Sequence, residues 1–336
     1  MASSALKHYH DKDFEAKEFV ETHFSHGEIG IIEDSMGQPV KILHELFSSD
    51  SSLTCYCYKK EIIETDLSRG FKILTMASSS LKHYHDKDFK AKEFVETHFS
   101  HGEIGIIEDS MVQPVKILHE LFSSGQVKGE ILLDVSAGAI LYQLLSASNV
   151  FKEIYVMDFT DANIKHFKQW LEKGEDATDW SFASKRVCEL QGNRDGWQEQ
   201  EEKVRRAIKN VMKWDIFENS CIDPQLVPMA DCVISLLILN IISKTKEDFQ
   251  KNVKSFTSRL KIGGHLLLFT VLDMTYYRVG QHKHFILTVD EAFVREAVIN
   301  TGFVIEKADL WCNRVESYFA DYKHKFFILA RKEREV

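Results

Sequence analysis

The sequence predicts an α/β fold in which about seven mostly parallel strands form one sheet, with helices on both faces. Three observations support this. Residues 129–163 read as strand, small-residue turn, helix and strand. From there onward, apolar runs alternate with amphipathic segments. The last predicted helix is followed by two more apolar runs, 303–310 and 325–331, which predict a terminal strand pair.

The first βα turn carries a candidate ligand site. Residues 131–133 are an apolar run of the kind that a strand buried on both faces needs, and Asp134 ends it. Ser136, Ala137 and Gly138 follow, and their small side chains let a ligand approach the backbone. A dinucleotide fingerprint has three glycines where this turn has one, so a βαβ crossover that only packs the core stays open as an alternative.

The second strand strengthens the ligand interpretation. The apolar run 154–157 ends in Asp158, which lies 24 positions after Asp134. A mononucleotide-binding βαβ unit places a carboxylate on ribose hydroxyls at about this spacing.

Composition excludes several classes of protein. With 44% hydrophobic residues the 336-residue chain can bury a large core, so wholesale disorder is excluded. A net charge of −9 argues against nucleic-acid binding. No apolar run approaches the ~20 residues of a membrane span, and the polar N-terminus lacks a secretory signal.

The six cysteines are scattered and suit a reducing cytosol. The lone C-x-C at Cys55 and Cys57 predicts no metal site.

The N-terminal region contains a repeat. Residues 1–49 recur as residues 76–124, and only three positions differ. Near-identity indicates a recent duplication, an alternative first exon joined in frame, or an artefact of the gene model. Residues 50–75 resemble neither copy and are predicted to be a linker. We expect the first copy to pack loosely, because a domain that needs one copy has no obvious place for two.

The second copy predicts an N-terminal helical segment, residues 76–125. Asp86 or Asp88 would cap a first helix running to Phe99, and residues 108–122 form a second amphipathic segment that Pro114 shortens. Two helices covering a sheet edge, or an aromatic lid over an active site, both fit this pattern. The main domain follows as residues 126–336.

Within the main domain, most elements follow from periodicity. The predicted strands are 131–133, 154–157, 185–190, 230–239, 265–272, 303–310 and 325–331. The predicted helices are 140–147, 161–173, 199–214, 244–260 and 290–301.

Several local sequences resemble one family. They are LLDVSAGAILYQLLSA, DFTDAN, CELQGN, the Gly-Gly-His stretch that ends at His265, SYF and ILARK. Over roughly residues 80–332 the chain resembles the nicotinamide, indolethylamine, thioether and phenylethanolamine methyltransferases. The resemblance implies a Rossmann-like class I fold, S-adenosylmethionine as cofactor, and a small-molecule methyl acceptor. The net charge and the lack of a long apolar run lead us to expect no nucleic-acid or membrane partner, and we expect a monomer.

The resemblance also implies residue roles. Asp158 would bind the ribose hydroxyls, Asn163 would lie near the methionine end, and Tyr142 would cover the methionine part. The other implied cofactor-binding residues are Phe94 and Phe99 of the lid, Ser136, Ala137 and Gly138 of the turn, Asp215 and Ile216 beside adenine, and Leu236. The implied substrate-binding residues are His98, Thr270, Tyr277 and Leu287.

Five positions depart from the family pattern. Ser136 stands where the family has glycine, and a Cβ there is expected to crowd the cofactor or to strain a positive φ. Phe94 and Phe99 replace lid tyrosines. Thr270 and Leu287 stand where nicotinamide-specific members hold the carboxamide, and Leu287 cannot form a side-chain hydrogen bond.

The predicted function is methyl transfer to a pyridine or amine nitrogen, as in nicotinamide N-methyltransferases. No residue stands out as a general base, which favours a neutral nucleophile. Two alternatives stay open. One is an indolethylamine or thioether methyltransferase. The other is a non-catalytic paralogue that binds a ligand or a partner on a methyltransferase scaffold.

Overall fold

The computed structural model describes residues 31–33, 72–74, 82–83, 89–100, 104–136, 138, 140–214, 222–223, 225–312 and 317–336. The chain divides into two units, Met1–Leu81 and Lys82–Val336. In the first unit, strands β1 (Ile31–Glu33) and β2 (Lys72–Leu74) pair antiparallel. The predicted division into residues 1–49, 50–75, 76–125 and 126–336 stays a prediction.

The second unit is built on a seven-stranded sheet. Its strands are β3 (Ile131–Asp134), β4 (Glu153–Asp158), β5 (Ile208–Lys213), β6 (Ala230–Leu236), β7 (Leu260–Leu272), β10 (Phe303–Cys312) and β11 (His324–Lys332). The order across the sheet is β10-β11-β7-β6-β3-β4-β5. The five strands from β7 to β5 run parallel, and β11 enters antiparallel beside β7, with β10 antiparallel to β11. The predicted fold class and the terminal strand pair are confirmed.

Helices cover this sheet. They are α1 (Ala91–Val95), α2 (Ile104–Ile107), α3 (Gln113–Ser123), α4 (Tyr142–Ala147), α5 (Asp161–Leu171), α6 (Ser181–Leu190), α7 (Trp197–Ala207), α8 (Leu239–Ile242), α9 (Lys246–Phe256) and α10 (Glu291–Asn300). The strand order reverses between β3 and β6. Because βαβ crossovers are right-handed, the helices that follow β3 and β4 lie on one face and α9 lies on the other.

The number of strands was predicted correctly, but one predicted strand was wrong. Residues 185–190 belong to helix α6, in which Ala183, Ser184, Val187 and Cys188 are buried at helical spacing. The seventh strand is β5 instead. The predicted helix 199–214 ends at Ala207, and the chain continues directly into β5 beside β4. Long-range pairing with β4 therefore overrides the helical pattern of this stretch.

The N-terminal helical segment starts later than predicted. Helix α1 begins at Ala91 after Lys90, which makes no side-chain cap, while Asp86 and Asp88 lie outside the described residues. Two π-helical stretches, Glu96–Ser100 and Glu108–Val112, follow α1 and α2. Pro114 lies in the first turn of α3, directly after the second π-helical stretch.

A hairpin that the sequence analysis did not predict lies beyond β7. Strands β8 (Tyr276–Val279) and β9 (His282–Phe285) pair antiparallel. Lys82 joins this hairpin, since its carbonyl accepts from Phe285 N at 2.8 Å and its N–H donates to Lys283 O at 3.1 Å. The chain thus enters the second unit against β9. Within the described residues, no helix has the length and apolar character needed to cross a membrane.

Candidate active site

The carboxyl ends of β3, β4 and β6 meet where the strand order reverses. In doubly wound sheets this switch point leaves a crevice in which ligands bind. Asp134, Asp158 and Leu236 are the last residues of these three strands, and all three are buried. The fold therefore brings Asp158, the predicted ribose-binding residue, and the predicted turn after β3 to one edge of the sheet.

Asp158 is held by the start of helix α5. Its Oδ1 accepts from the backbone N of Thr160 at 2.7 Å and from the Thr160 hydroxyl at 2.9 Å. The Asn163 amide donates to Asp158 Oδ2 at 3.1 Å. Thr160 in turn caps the helix by accepting from Asn163 N. The start of α5 therefore fixes the orientation of the Asp158 carboxylate at the end of β4.

The turn after β3 is organised by a buried carboxylate. Asp134 is 1% exposed and accepts from the Ser136 hydroxyl at 2.6 Å and from the Gln143 amide at 2.9 Å. Burial raises the pKa of Asp134 to about 7, although both hydrogen bonds act in the opposite direction. The expectation that Ser136 strains a positive φ is wrong. The described turn residue with a positive φ is Gly138, at +66°.

The aromatic side chains of the N-terminal segment lie on this turn. A Cβ added to Gly138 would come within 2.9 Å of the Phe94 ring, so the ring packs directly against the bare glycine backbone. Phe94 contacts Phe99 with ring centroids 5.6 Å apart, and Phe99 contacts Tyr142 at 5.9 Å. The Tyr142 hydroxyl donates to Ser110 O at 2.5 Å. Edge-on and tilted ring contacts therefore join the segment to the turn and to α4, and the Tyr142 hydrogen bond adds a link to α4.

His98 connects the same segment to the β8–β9 hairpin. Its Nε2 lies 2.8 Å from Arg278 O, and its ring lies 6.3 Å from that of Tyr277. Burial lowers the pKa of His98 to about 4, so the ring is neutral at physiological pH. A carbonyl oxygen can only accept, so Nε2 carries the hydrogen and donates it. Two of the predicted substrate-binding residues, His98 and Tyr277, are thus brought together.

The other two predicted substrate-binding residues are joined through Asn240. The Thr270 hydroxyl donates to Asn240 Oδ1, and the Asn240 amide donates to Val271 O and Leu287 O, both at 3.1 Å. Thr270 also lines a pocket with Tyr142. The Leu287 side chain packs against the core instead. Leu287 therefore acts here through its backbone carbonyl.

Three predicted cofactor-binding residues, Ala137, Asp215 and Ile216, lie outside the described residues. The described residue before the latter two is Trp214, whose N–H donates to Asp158 O at 3.0 Å. The chain thus leaves β5 beside the end of β4.

The sequence analysis missed four residues with hydrogen-bonding side chains that line the pocket shared by Tyr142, Leu236 and Thr270. They are Asp109 and Ser110 of the N-terminal segment, Trp311 of β10 and Lys325 of β11. The available signal was a lysine directly before the apolar run of β11. Without the fold, nothing joined it to residue 109.

The switch point fits S-adenosylmethionine. The oriented Asp158 carboxylate suits the two ribose hydroxyls, and the Phe94 ring packs on the bare backbone of the turn at Gly138. The Ser136 side chain is turned to Asp134 by its hydrogen bond. Asp158, Gly138 and the Phe94 ring would therefore hold the nucleoside and methionyl parts of this cofactor.

A doubly wound sheet with an antiparallel terminal pair, a glycine turn after its first strand and a carboxylate after its second define a class I methyltransferase fold. The sequence profile of the NNMT/PNMT/TEMT family matches residues 77–333. The chain belongs to this family. The predicted family, the methyltransferase class and S-adenosylmethionine as cofactor are confirmed with it.

Individual relatives agree with the profile. The chain is 34% identical to nicotinamide N-methyltransferase of Sus scrofa over 245 residues, which cover 73% of this chain and 93% of the relative. It is 31% identical to indolethylamine N-methyltransferase of Mus musculus over 249 residues, covering 74% and 94%. It is also 31% identical to phenylethanolamine N-methyltransferase of Mus musculus over 226 residues, covering 65% and 75%.

Proposed function

We propose that this protein transfers a methyl group from S-adenosylmethionine to the nitrogen of a small molecule, and that the preferred acceptor is a neutral pyridine such as nicotinamide. Its nitrogen lone pair attacks the methyl carbon while the bond from that carbon to sulfur breaks. S-adenosylmethionine supplies the electrophilic methyl group on its sulfonium. The contribution of the chain is positioning and the exclusion of water.

The residues proposed for cofactor binding act together at the switch point. Asp158 would accept from the ribose hydroxyls, and Asn163 would hold Asp158 in place. Gly138, Ser136 and Ala137 would form the turn against the methionyl part, and Phe94, Phe99, Tyr142 and Leu236 would enclose it. Asp215 and Ile216 are proposed to lie beside adenine. His98, Thr270, Tyr277 and Leu287 are proposed for the acceptor side.

One observation supports a neutral acceptor. Thr270 of β7 and Asn240 of α8 are hydrogen-bonded to each other, and neither side chain carries a carboxylate. An ammonium substrate must lose a proton before it can attack, and a positioned carboxylate assists that step. A pyridine nitrogen has no proton to lose, so a threonine–asparagine pair suffices.

The test measures S-adenosylhomocysteine formation with nicotinamide, tryptamine, phenylethanolamine and dimethyl sulfide as acceptors. We expect nicotinamide to give the highest kcat/KM. Preference for tryptamine or dimethyl sulfide would support the indolethylamine or thioether alternative. Absence of turnover together with absence of calorimetric cofactor binding would support the non-catalytic paralogue.

A matched pair of variants tests the cofactor site itself. Asp158→Asn removes one acceptor from the proposed ribose site, and we expect S-adenosylhomocysteine affinity to fall about tenfold or more. Asp161→Asn is the control, because the Asp161 side chain is 82% exposed and pairs only with Lys213 among the described residues. Equal affinities of the two variants would contradict the ribose assignment.

The monomeric state and the cytosolic location, the latter suggested by the scattered cysteines, stay predictions.

A further inference from the structure

A small pocket lies on the sheet face beneath the N-terminal segment. Its wall includes Asp109, Ser110, Trp311 and Lys325 beside Tyr142. Hydrogen-bonding side chains of the N-terminal segment and of β10 and β11 therefore meet at one place.

Lys325 places a charge in this wall with few partners. The residue is 6% exposed, and its Nζ donates to Ser110 Oγ at 3.0 Å. The Tyr322 ring lies 4.3 Å from Nζ. An ammonium has three hydrogens to donate, and no carboxylate oxygen of the described residues lies within 4.0 Å of Nζ. A buried ammonium with unused donors is costly unless a further partner binds.

Asp109 does not neutralise this charge by contact. Asp109 Oδ2 accepts from the Tyr322 hydroxyl at 2.8 Å. Asp109 acts on Lys325 through space and raises its pKa, whereas burial lowers that pKa to about 8 as the larger effect. The ammonium form of Lys325 therefore dominates at neutral pH.

Trp311 supplies a second donor on the same face. It lies directly opposite Lys325 in the β10–β11 register. Its indole Nε1 is buried and has no hydrogen-bond partner among the described residues. An indole N–H can only donate. Two neighbouring side chains thus present unused donors, and a complementary ligand group must accept.

We propose that this pocket is a carboxylate subsite in which Lys325 and Trp311 hold an anionic end of a bound ligand. This inference rests on the proposed function. Two sources can supply the carboxylate: the methionyl end of the cofactor or a carboxylate-bearing methyl acceptor. Both reach the same edge of the sheet, because Leu236 and Thr270 also line the pocket.

Calorimetric titration of the full chain separates these sources. The probes are S-adenosylhomocysteine, 5′-methylthioadenosine, which lacks the methionyl carboxylate, and pyridine-3-carboxylate with pyridine-3-carboxamide as its neutral partner. The variants are Lys325→Met and Trp311→Phe, which keep the apolar volume. Lys332→Met is the matched control, since Lys332 is 2% exposed on the same strand and binds the carbonyls of Thr257 and Leu260. A thermal melt verifies that each variant folds.

If the cofactor supplies the carboxylate, Lys325→Met lowers the affinity for S-adenosylhomocysteine at least about tenfold and leaves the affinity for 5′-methylthioadenosine unchanged. If the acceptor supplies the carboxylate, Lys325→Met lowers the affinity for pyridine-3-carboxylate and leaves the affinity for S-adenosylhomocysteine unchanged. Trp311→Phe weakens the same probe by a smaller factor.

The subsite is overturned if folded Lys325→Met binds every probe within twofold of the wild type, or if Lys332→Met has the same effect as Lys325→Met. Failure of the wild type to bind S-adenosylhomocysteine contradicts the proposed function instead. The subsite is then decided by pyridine-3-carboxylate alone.

Discussion

The Ser136 hydroxyl donates a 2.6 Å hydrogen bond to Oδ1 of Asp134, and both side chains are buried. The residue that departs from the family's glycine is therefore a partner of the carboxylate at the end of β3. This hydrogen bond changes the effect that we expect from replacing Ser136 by glycine.

Replacing Ser136 by Gly should destabilise the protein. The change removes the hydrogen bond to Asp134 and adds backbone freedom to the unfolded chain, so we expect a loss of about 1–2 kcal/mol in urea unfolding. Ser136→Ala separates the two effects, because it keeps the Cβ and removes the hydroxyl. Tighter S-adenosylhomocysteine binding by Ser136→Gly than by Ser136→Ala would show instead that the Cβ crowds the cofactor.

The raised pKa of Asp134 predicts a pH dependence of stability. The folded pKa of about 7 exceeds the unfolded value of 3.8, so the folded state holds the proton more tightly. The contribution of Asp134 to the free energy of unfolding is fully present below pH 4. It is lost as pH rises to about 7, by at most about 1.4 kcal/mol per pH unit. Asp134→Asn should lack this slope. Parallel stability profiles of variant and wild type from pH 4 to 8 would contradict the shift.

His98 predicts a dependence of the opposite sign. Its folded pKa of about 4 lies below the unfolded value of 6.5, so its contribution is present above pH 6.5 and is lost as pH falls towards 4. His98→Phe keeps the aromatic packing and removes the titrating group. We expect the difference in unfolding free energy between wild type and variant to shrink over that window. A constant difference would argue against a buried neutral imidazole.

Gly138→Ala should disturb the contact between the turn and the Phe94 ring. The new Cβ meets a φ of +66° and a ring atom 2.9 Å away. Gly125→Ala is the matched control, because Gly125 has a φ of +75° and nothing within 4 Å of the added Cβ. We expect backbone strain in the control Gly125→Ala to lower the free energy of unfolding by about 1 kcal/mol. We expect Gly138→Ala to lower it by more and also to weaken S-adenosylhomocysteine binding.

A double-mutant cycle checks the origin of that excess. Phe94→Leu combined with Gly138→Ala should cost less than the sum of the two single changes, because the smaller side chain leaves room for the methyl group. Strict additivity would mean that the ring and the turn do not press on each other.

Removal of residues 1–75 should leave stability and methyl transfer intact. The family profile begins at residue 77, and the seven-stranded sheet lies within Lys82–Val336. The check compares the melting temperature and turnover of the shortened and full chains. A shortened chain that fails to fold would show that the first copy of the repeat is required.

Periodic patterns and strand-end residues could be read from the sequence alone. Buried parallel strands are continuous apolar runs, so β3, β4, β6 and β7 were recognised, and Asp134 and Asp158 were placed at strand ends. Strand β5 was not recognised. Its residues continue the polar pattern of α7, and only pairing with β4 distinguishes it from helix.

The same limit applies within the repeat. The tripeptide Ile-Ile-Glu is strand at residues 31–33, where it pairs with β2, and helical at residues 106–108. The same tripeptide thus adopts two structures, since residues 31–33 pair with β2 while residues 106–108 continue a helical run.

The sequence by itself determined the family, the α/β fold and the carboxylates at the ends of β3 and β4, because each depends on neighbouring residues. Only the tertiary structure decided that the Ser136 hydroxyl faces Asp134, and that Lys325 and Trp311 share a pocket with Ser110. Residues 110 and 325 meet because strand pairing and helix packing bring distant segments together. No local pattern carries that information.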